Sequence, residues 1–257
     1  MTVNGAPNWV ELTTTDLAKA KKFYGELLGW TFTDSGPDYG NYHIVSVGGK
    51  SVGGAMQIDR ERMGPDATDT FVVYLDAPNA AEALERATAA GGTVLVPTMA
   101  VGDQGVMGFM VDAAGSAVGV WQPGTRVGYE AHDGHGAPVW FELFTRNFET
   151  AGQFYEEVFD WHIVPMAEQD GEIGYATNGG GAEAAAGLCN AGEWLPDGVQ
   201  GYWRVYFQVD DADAAAEQAV AMGGHLLDGP TDSEFGRVAT LVDDQGAGFQ
   251  VLQPPVQ

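Results

Sequence analysis

The sequence predicts an α+β protein built from four β-α-β-β-β modules, and three observations carry that prediction. The two halves align on each other, each half holds two strand-to-helix units, and short glycine-punctuated apolar runs follow every helix. Residues 9–30, WVELTTTDLAKAKKFYGELLGW, lie over 140–161, WFELFTRNFETAGQFYEEVFDW, at an offset of 131. Residues 73–92 and 205–224, which share VY in the strand and GG at the end, repeat at an offset of 132. The order is therefore A, B, A′, B′.

Each A unit starts with an alternating stretch and then changes to helical spacing. Leu17, Ala20, Phe23, Tyr24, Leu27 and Leu28 fall at i, i+3 and i+4 intervals, with Asp16 as the expected N-cap and Gly29 as the stop. The copy has Asn147 as expected cap and Phe148, Ala151, Phe154, Tyr155, Val158 and Phe159 as its stripe. In the B units, TFVVYLD and YWRVYFQV are expected strands, followed by alanine-rich helices closed by Gly91-Gly92 and Gly223-Gly224. Helices are thus expected near 16–28, 79–90, 147–159 and 211–222. The runs HIVSVGG, GGAMQI, TVLVP, MGFMVD, AVGVWQP and RVATLVDDQGAGFQVLQPP supply the remaining strands.

At 257 residues, two domains of about 125 are the expected organisation. The glycine-rich PGTRVGYEAHDGHGAP at 123–138 marks the join, giving domains at 1–123 and 138–257 around a linker at 124–137. NGGGAEAAAG at 178–187 is expected to form a flexible hairpin.

Lys and Arg number 11 against 36 Asp and Glu, a formal net charge of −25. Such a field repels phosphate backbones and anionic lipid, so neither nucleic acid nor membrane is an expected partner. No apolar run approaches the ~20 residues of a spanning helix, and MTVNGAPNWVEL has no basic or hydrophobic leader pattern, so a cytoplasmic location is expected. Cys189 is the single cysteine, which excludes an intrachain disulfide and a CxxC metal knuckle. GxxxxGK[ST] and HExxH are both missing from the sequence.

The phrases TTDLAKAKKFYGELLGW and TRNFETAGQFYEEVFDW, with the closing phrases VDAAGSAVGVWQP and VDDQGAGFQVLQP, give nearly the whole chain a resemblance to the glyoxalase/bleomycin-resistance/dioxygenase (vicinal oxygen chelate) superfamily. The resemblance implies two glyoxalase-like domains with concave sheet cups, and in the family a divalent metal held there by His, Gln or Glu. The implied ligand positions fall on Trp9 and Trp140, on Val72 and Arg204, and on Gly119 and Gln250. Of these only Gln250 offers a metal donor, whereas a transition-metal site needs three or four. No cofactor is therefore expected.

Strand alternation places Val10 and Leu12 toward the helix and Trp9, Glu11 and Thr13 on the opposite, concave side; Trp140, Glu142 and Phe144 repeat that face. Each cup is then expected to have a tryptophan wall beside one carboxylate, partly desolvated and raised in pKa. On the B strands Arg204, Tyr206 and Gln208 share a side, matched by Val72, Tyr74 and Asp76. Arg204 has two possible tasks, pairing with Glu142 or clamping a ligand anion. Having Arg204 and Gln250 where the first has Val72 and Gly119, the second cup is the favoured one.

Three functions follow from these residues. The first is a binding protein for an antibiotic, specialised metabolite or reactive carbonyl, with Trp140, Arg204, Tyr206, Gln250, Trp9, Tyr74 and Phe144 as ligand contacts, acting as a monomer or homodimer. The second is an isomerase, lyase or cyclase using Glu142 or Glu11 for proton transfer. The third is a divalent-metal enzyme with atypical ligands. Purely structural roles for Glu11, Glu142, Trp9 and Trp140 stand beside all three. His132 and His135 have HxxH spacing but lie in the linker, and His43 lies in a strand whose face is ambiguous.

Overall fold

The computed structural model describes residues 4–169 and 172–255. Module A comprises β1 (Pro7–Thr14), α1 (Leu17–Leu28), β2 (Thr31–Asp34), β3 (His43–Val47) and β4 (Lys50–Gln57), and a single turn, α2 (Arg60–Met63), leads out of it. Module B follows with β5 (Thr70–Asp76), α3 (Ala80–Ala89), β6 (Thr93–Val101), β7 (Gly105–Val111) and β8 (Ala117–Pro123). Module A′ has β9 (Pro138–Thr145), α4 (Phe148–Phe159), β10 (Val164–Gln169), β11 (Glu172–Thr177) and β12 (Gly187–Asn190). Module B′ closes the chain with β13 (Gly201–Gln208), α5 (Ala212–Ala221), β14 (His225–Ser233), β15 (Gly236–Val242) and β16 (Gly248–Gln253). The four expected helices and the β-α-β-β-β order are all present.

The strands form two eight-stranded sheets, ordered β2-β3-β4-β1-β5-β8-β7-β6 and β10-β11-β12-β9-β13-β16-β15-β14. In every module the first and last strands run parallel, which needs the intervening helix as crossover, and the remaining pairs are antiparallel hairpins. The expected hairpin at 178–187 joins β11 to antiparallel β12 through a 3-10 turn at Gly181–Glu183.

Asp16 caps α1 as expected, accepting from the backbone N–H of Ala18 and Lys19, and Gly29 ends it at φ 67°, a left-handed conformation that glycine adopts freely. The expectation for Asn147 is corrected. Its side chain makes no cap bond, and the hydroxyl of Thr145 instead accepts from the Asn147 N–H.

Chain contacts group into two compact units. The first contains residues 1–9, 72–128 and 140–204, so module B packs with A′; the second contains 10–71, 129–139 and 205–257, so A packs with B′. In the first unit Tyr155 on α4 donates to Asp112 after β7, and Trp203 donates to the same Tyr155 oxygen, amid stacked Phe159 and Trp161. In the second, Tyr24 on α1 donates to Asp243 after β15, among Phe23, Trp30, Phe71, Phe207 and Phe249. Both tyrosines are fully buried, and burial first, then the neighbouring aspartate, pushes their hydroxyls well above the ordinary range.

Candidate functional site

The first unit brings Trp140, Glu142, Phe144 and Arg204 together. Alternation along β9 puts Phe141 and Leu143 into the helix-side core and leaves the other three on the opposite face. β13 alternates likewise, with Trp203 and Val205 buried and Tyr202, Arg204 and Tyr206 more open. The Arg204 guanidinium reaches Glu142 at 3.7 Å and lies 3.5 Å over the centre of the Phe144 ring. Glu142 is 7% exposed and the Arg204 side chain 17%, so both charges sit largely out of water, where a paired arrangement offsets the cost of burial. Arg204 also donates to the Tyr202 hydroxyl at 3.2 Å.

Neighbouring strands complete this face with residues that the sequence reading missed. Parallel pairing sets Gly187 opposite Glu142. The Tyr175 hydroxyl lies over Gly187 where a β-carbon would otherwise be, and it accepts a 3.0 Å bond from the Trp140 indole N–H. The second unit repeats the device, with Gly54 opposite Glu11 and the Tyr42 hydroxyl over Gly54. A signal existed: Tyr and Gly stand twelve residues apart in both halves, at Tyr42 and Gly54 and at Tyr175 and Gly187. The loop 191–199 was missed as well. It seats Leu195 against Phe144 and Cys189 and carries Trp194 near-parallel to Phe144 at 5.9 Å.

The remaining expected contacts are divided between the two units. Tyr206 and Gln250 belong to the second unit, where they face each other across β13 and β16; Gln250 is buried, and its Oε1 has no hydrogen-bond partner among the described residues. Trp9 lies in the first unit, buried under the Arg126 guanidinium at 5.1 Å, and Tyr74 covers Gly119 with its ring. Glu11, further along the same strand as Trp9, is buried in the second unit. His43 turns toward α1, its Nε2 meeting Lys21 Nζ at 2.9 Å and its Nδ1 the Asn41 carbonyl. His135 is bound to the Leu27 carbonyl, while His132 lies against Tyr129.

Two open clefts lie elsewhere, beside the starts of α1 (about 660 Å³) and α4 (about 600 Å³). Neither contains Trp140, Glu142 or Arg204. What distinguishes the Trp140 face is its chemistry, a buried carboxylate beside a stacked cation.

The donor set does not fit a metal. Arginine has no lone pair to give, and its fixed positive charge already takes the one nearby carboxylate. Among the described residues no group of three or more His, Cys, Asp or Glu converges. Cys189 is no better as a nucleophile. Burial, with Glu142 adding and Arg204 subtracting, pushes its thiol up to about 12, so it is neutral at physiological pH.

A tandem array of β-α-β-β-β modules in two eight-stranded sheets is the architecture of a glyoxalase-like protein. The chain belongs to the Glyoxalase/Bleomycin resistance protein/Dioxygenase superfamily, whose sequence model matches residues 6–120 and 137–251. It is 35% identical over 260 residues to CFP32 of Mycobacterium tuberculosis (strain CDC 1551 / Oshkosh), a provisionally named glyoxylase, covering 98% of this chain and 96% of that protein. It is 33% identical over 265 residues to the anthracycline biosynthesis protein DnrV of Streptomyces peucetius, covering 97% and 93%. The fold is shared with the Mn(II)-bound glyoxalase from Novosphingobium aromaticivorans, at TM-score 0.65 and 14% identity over 98% of this chain and 83% of that one. It is shared too with the 2,3-dioxygenase LapB from Pseudomonas sp. KL28, at TM-score 0.63 and 13% identity over 100% and 94%.

Proposed function

We propose that this chain is a metal-independent member of the superfamily that binds a small organic metabolite on the face formed by Trp140, Glu142, Phe144 and Arg204. The observation that carries this reading is the Glu142–Arg204 pair stacked on Phe144. A guanidinium there presents N–H donors to a carbonyl, enolate or phenolate oxygen of the ligand, while Glu142 accepts from a ligand hydroxyl. Trp140, held by its bond to Tyr175, gives the apolar body of the ligand a fixed wall. The relatives named for anthracycline biosynthesis support a specialised metabolite as the ligand.

A second reading, favoured by the burial of Glu142 beside a cation, is an isomerase, lyase or cyclase. In it Glu142 takes a proton from the carbon next to a carbonyl whose oxygen Arg204 holds. Calorimetry and product assay on chelator-treated protein separate the readings. For a binder, Trp140→Ala and Arg204→Met each weaken a bound metabolite, the first by on the order of 2 kcal/mol. For an enzyme, Glu142→Gln keeps affinity within a few fold and cuts turnover by roughly 10²–10⁴. Loss of binding on chelator treatment, restored by Mn²⁺ or Zn²⁺, would overturn metal independence, and indifference to all three substitutions would return these residues to the core.

A further inference from the structure

Five of the seven tryptophans are buried, Trp140 is half-buried, and Trp194 stands apart at 57% exposed. The loop that carries it is tied down. Arg146, at the end of β9, donates to four of its carbonyls, those of Gly192, Leu195, Pro196 and Val199. The Ala191 carbonyl accepts from both Trp194 and Leu195 N–H groups, and the buried Leu195 side chain anchors the loop on Phe144 and Cys189. The backbone that carries the indole is therefore held in place while the ring stays uncovered.

Its position gives that rigidity a use. Phe144 is the hub of a small aromatic array, with Arg204 over its face, Trp194 near-parallel at 5.9 Å and Tyr202, itself 41% exposed, tilted at 5.9 Å. The corresponding segment of the first half, 58–69, is IDRERMGPDATD and contains no aromatic residue, and Thr15 stands where Arg146 does. The array belongs to the second half alone.

We infer that Trp194 selects flat aromatic ligands for this face, and that Arg146 is the positioning residue that holds it ready. The inference rests on the proposed binding face and adds the ligand class, a planar π-system bearing an anionic or strongly accepting oxygen. The oxygen meets Arg204, whose stacked guanidinium suits planar partners, and the ring system lies against Trp194. A platform already fixed in the free protein loses little conformational freedom when it is covered.

The test uses the full chain and two carboxylate probes, anthraquinone-2-carboxylate, which is flat and aromatic, and cyclohexanecarboxylate, which is neither. By calorimetry, Trp194→Ala is expected to weaken the anthraquinone roughly 10-fold or more and to change the alicyclic probe less than about twofold, with Trp194→Phe recovering part of the loss. A thermal melt close to that of the parent protein confirms that the exposed position tolerates truncation. Equal loss for both probes, no loss for the flat one, or no binding of the flat probe at ~1 mM overturns the inference about Trp194. Arg204→Met reports separately on the underlying face. If it weakens the probes while Trp194→Ala does nothing, the face stands and the ligand class fails; if it leaves both probes unchanged, the face itself fails.

Discussion

Gly187 shows how closely single residues are constrained here. It sits opposite Glu142 in the β9–β12 pair, and a β-carbon on it would run into the Tyr175 hydroxyl before any other atom. Gly187→Ala is therefore expected to destabilise the protein by about 1–3 kcal/mol, the usual cost of forcing a methyl into a filled site. Part of that cost returns in the Gly187→Ala, Tyr175→Phe double variant, because the first atom in the way is gone. Denaturant midpoints for the four proteins of the cycle give the coupling, and strictly additive costs would show that Tyr175 is not what fills the space. That Trp140, Glu142 and Phe144 share a face was legible in strand alternation, because a period of two fixes which side chains of one strand point the same way, whereas the choice of Glu142 as Arg204's partner was left open. Tyr175, Gly187 and Trp194 were not, because strand register and loop course depend on contacts distant in sequence. The A units also fall out of step by two residues after their helices, so Tyr42 and Tyr175 do not align at the offset of 131.

The turn elements after β7 and β15 do two things at once. Asp112 accepts from the Ala114 and Ser116 N–H groups to close its turn and from the Tyr155 hydroxyl on α4; Asp243 does the same with Gln245, Gly246, Ala247 and Tyr24 on α1. The repeated phrases VDAAGSA and VDDQGAG were visible in the sequence, but nothing local said that their aspartates tether helices far away in the chain. Burial raises both carboxyls above the usual aspartate range, and the hydrogen bonds to each only partly oppose it. An acid raised on folding contributes stability that is complete below its unfolded value and is lost as pH climbs through the folded one. Asp243→Asn, which keeps an oxygen for the turn N–H groups and has no titration, provides the control. The stability advantage of the parent protein over this variant is expected to shrink as pH rises from about 4 to about 7. An advantage that grows over that interval would contradict the raised carboxyl.

At the scale of the whole molecule, the sequence repeat and the compact units cut the chain differently. The repeat divides it into A with B and A′ with B′, whereas contacts gather A with B′ and B with A′. The reason lies in where the large aromatics of α1 and α4 are covered. Phe23 and Tyr24 meet Phe249, and Trp30 meets Phe207, all from B′; Tyr155, in its turn, is held by Asp112 from B. Burying such rings is worth roughly 1.5–3 kcal/mol each, so a fragment that loses several of these contacts gives up an amount comparable to the whole stability of an ordinary domain. Residues 1–128 expressed alone would keep Tyr24, Trp30 and Phe71 but lose Asp243, Phe207 and Phe249. That fragment is expected to be unfolded or to bury its rings by self-association, and mixing it with 129–257 is expected to restore a one-to-one complex with the helix content of the intact chain. Circular dichroism and size-exclusion chromatography decide the matter. A monomeric, cooperatively melting 1–128 would show that the half-chain, and not the crossed pair of modules, is the folding unit.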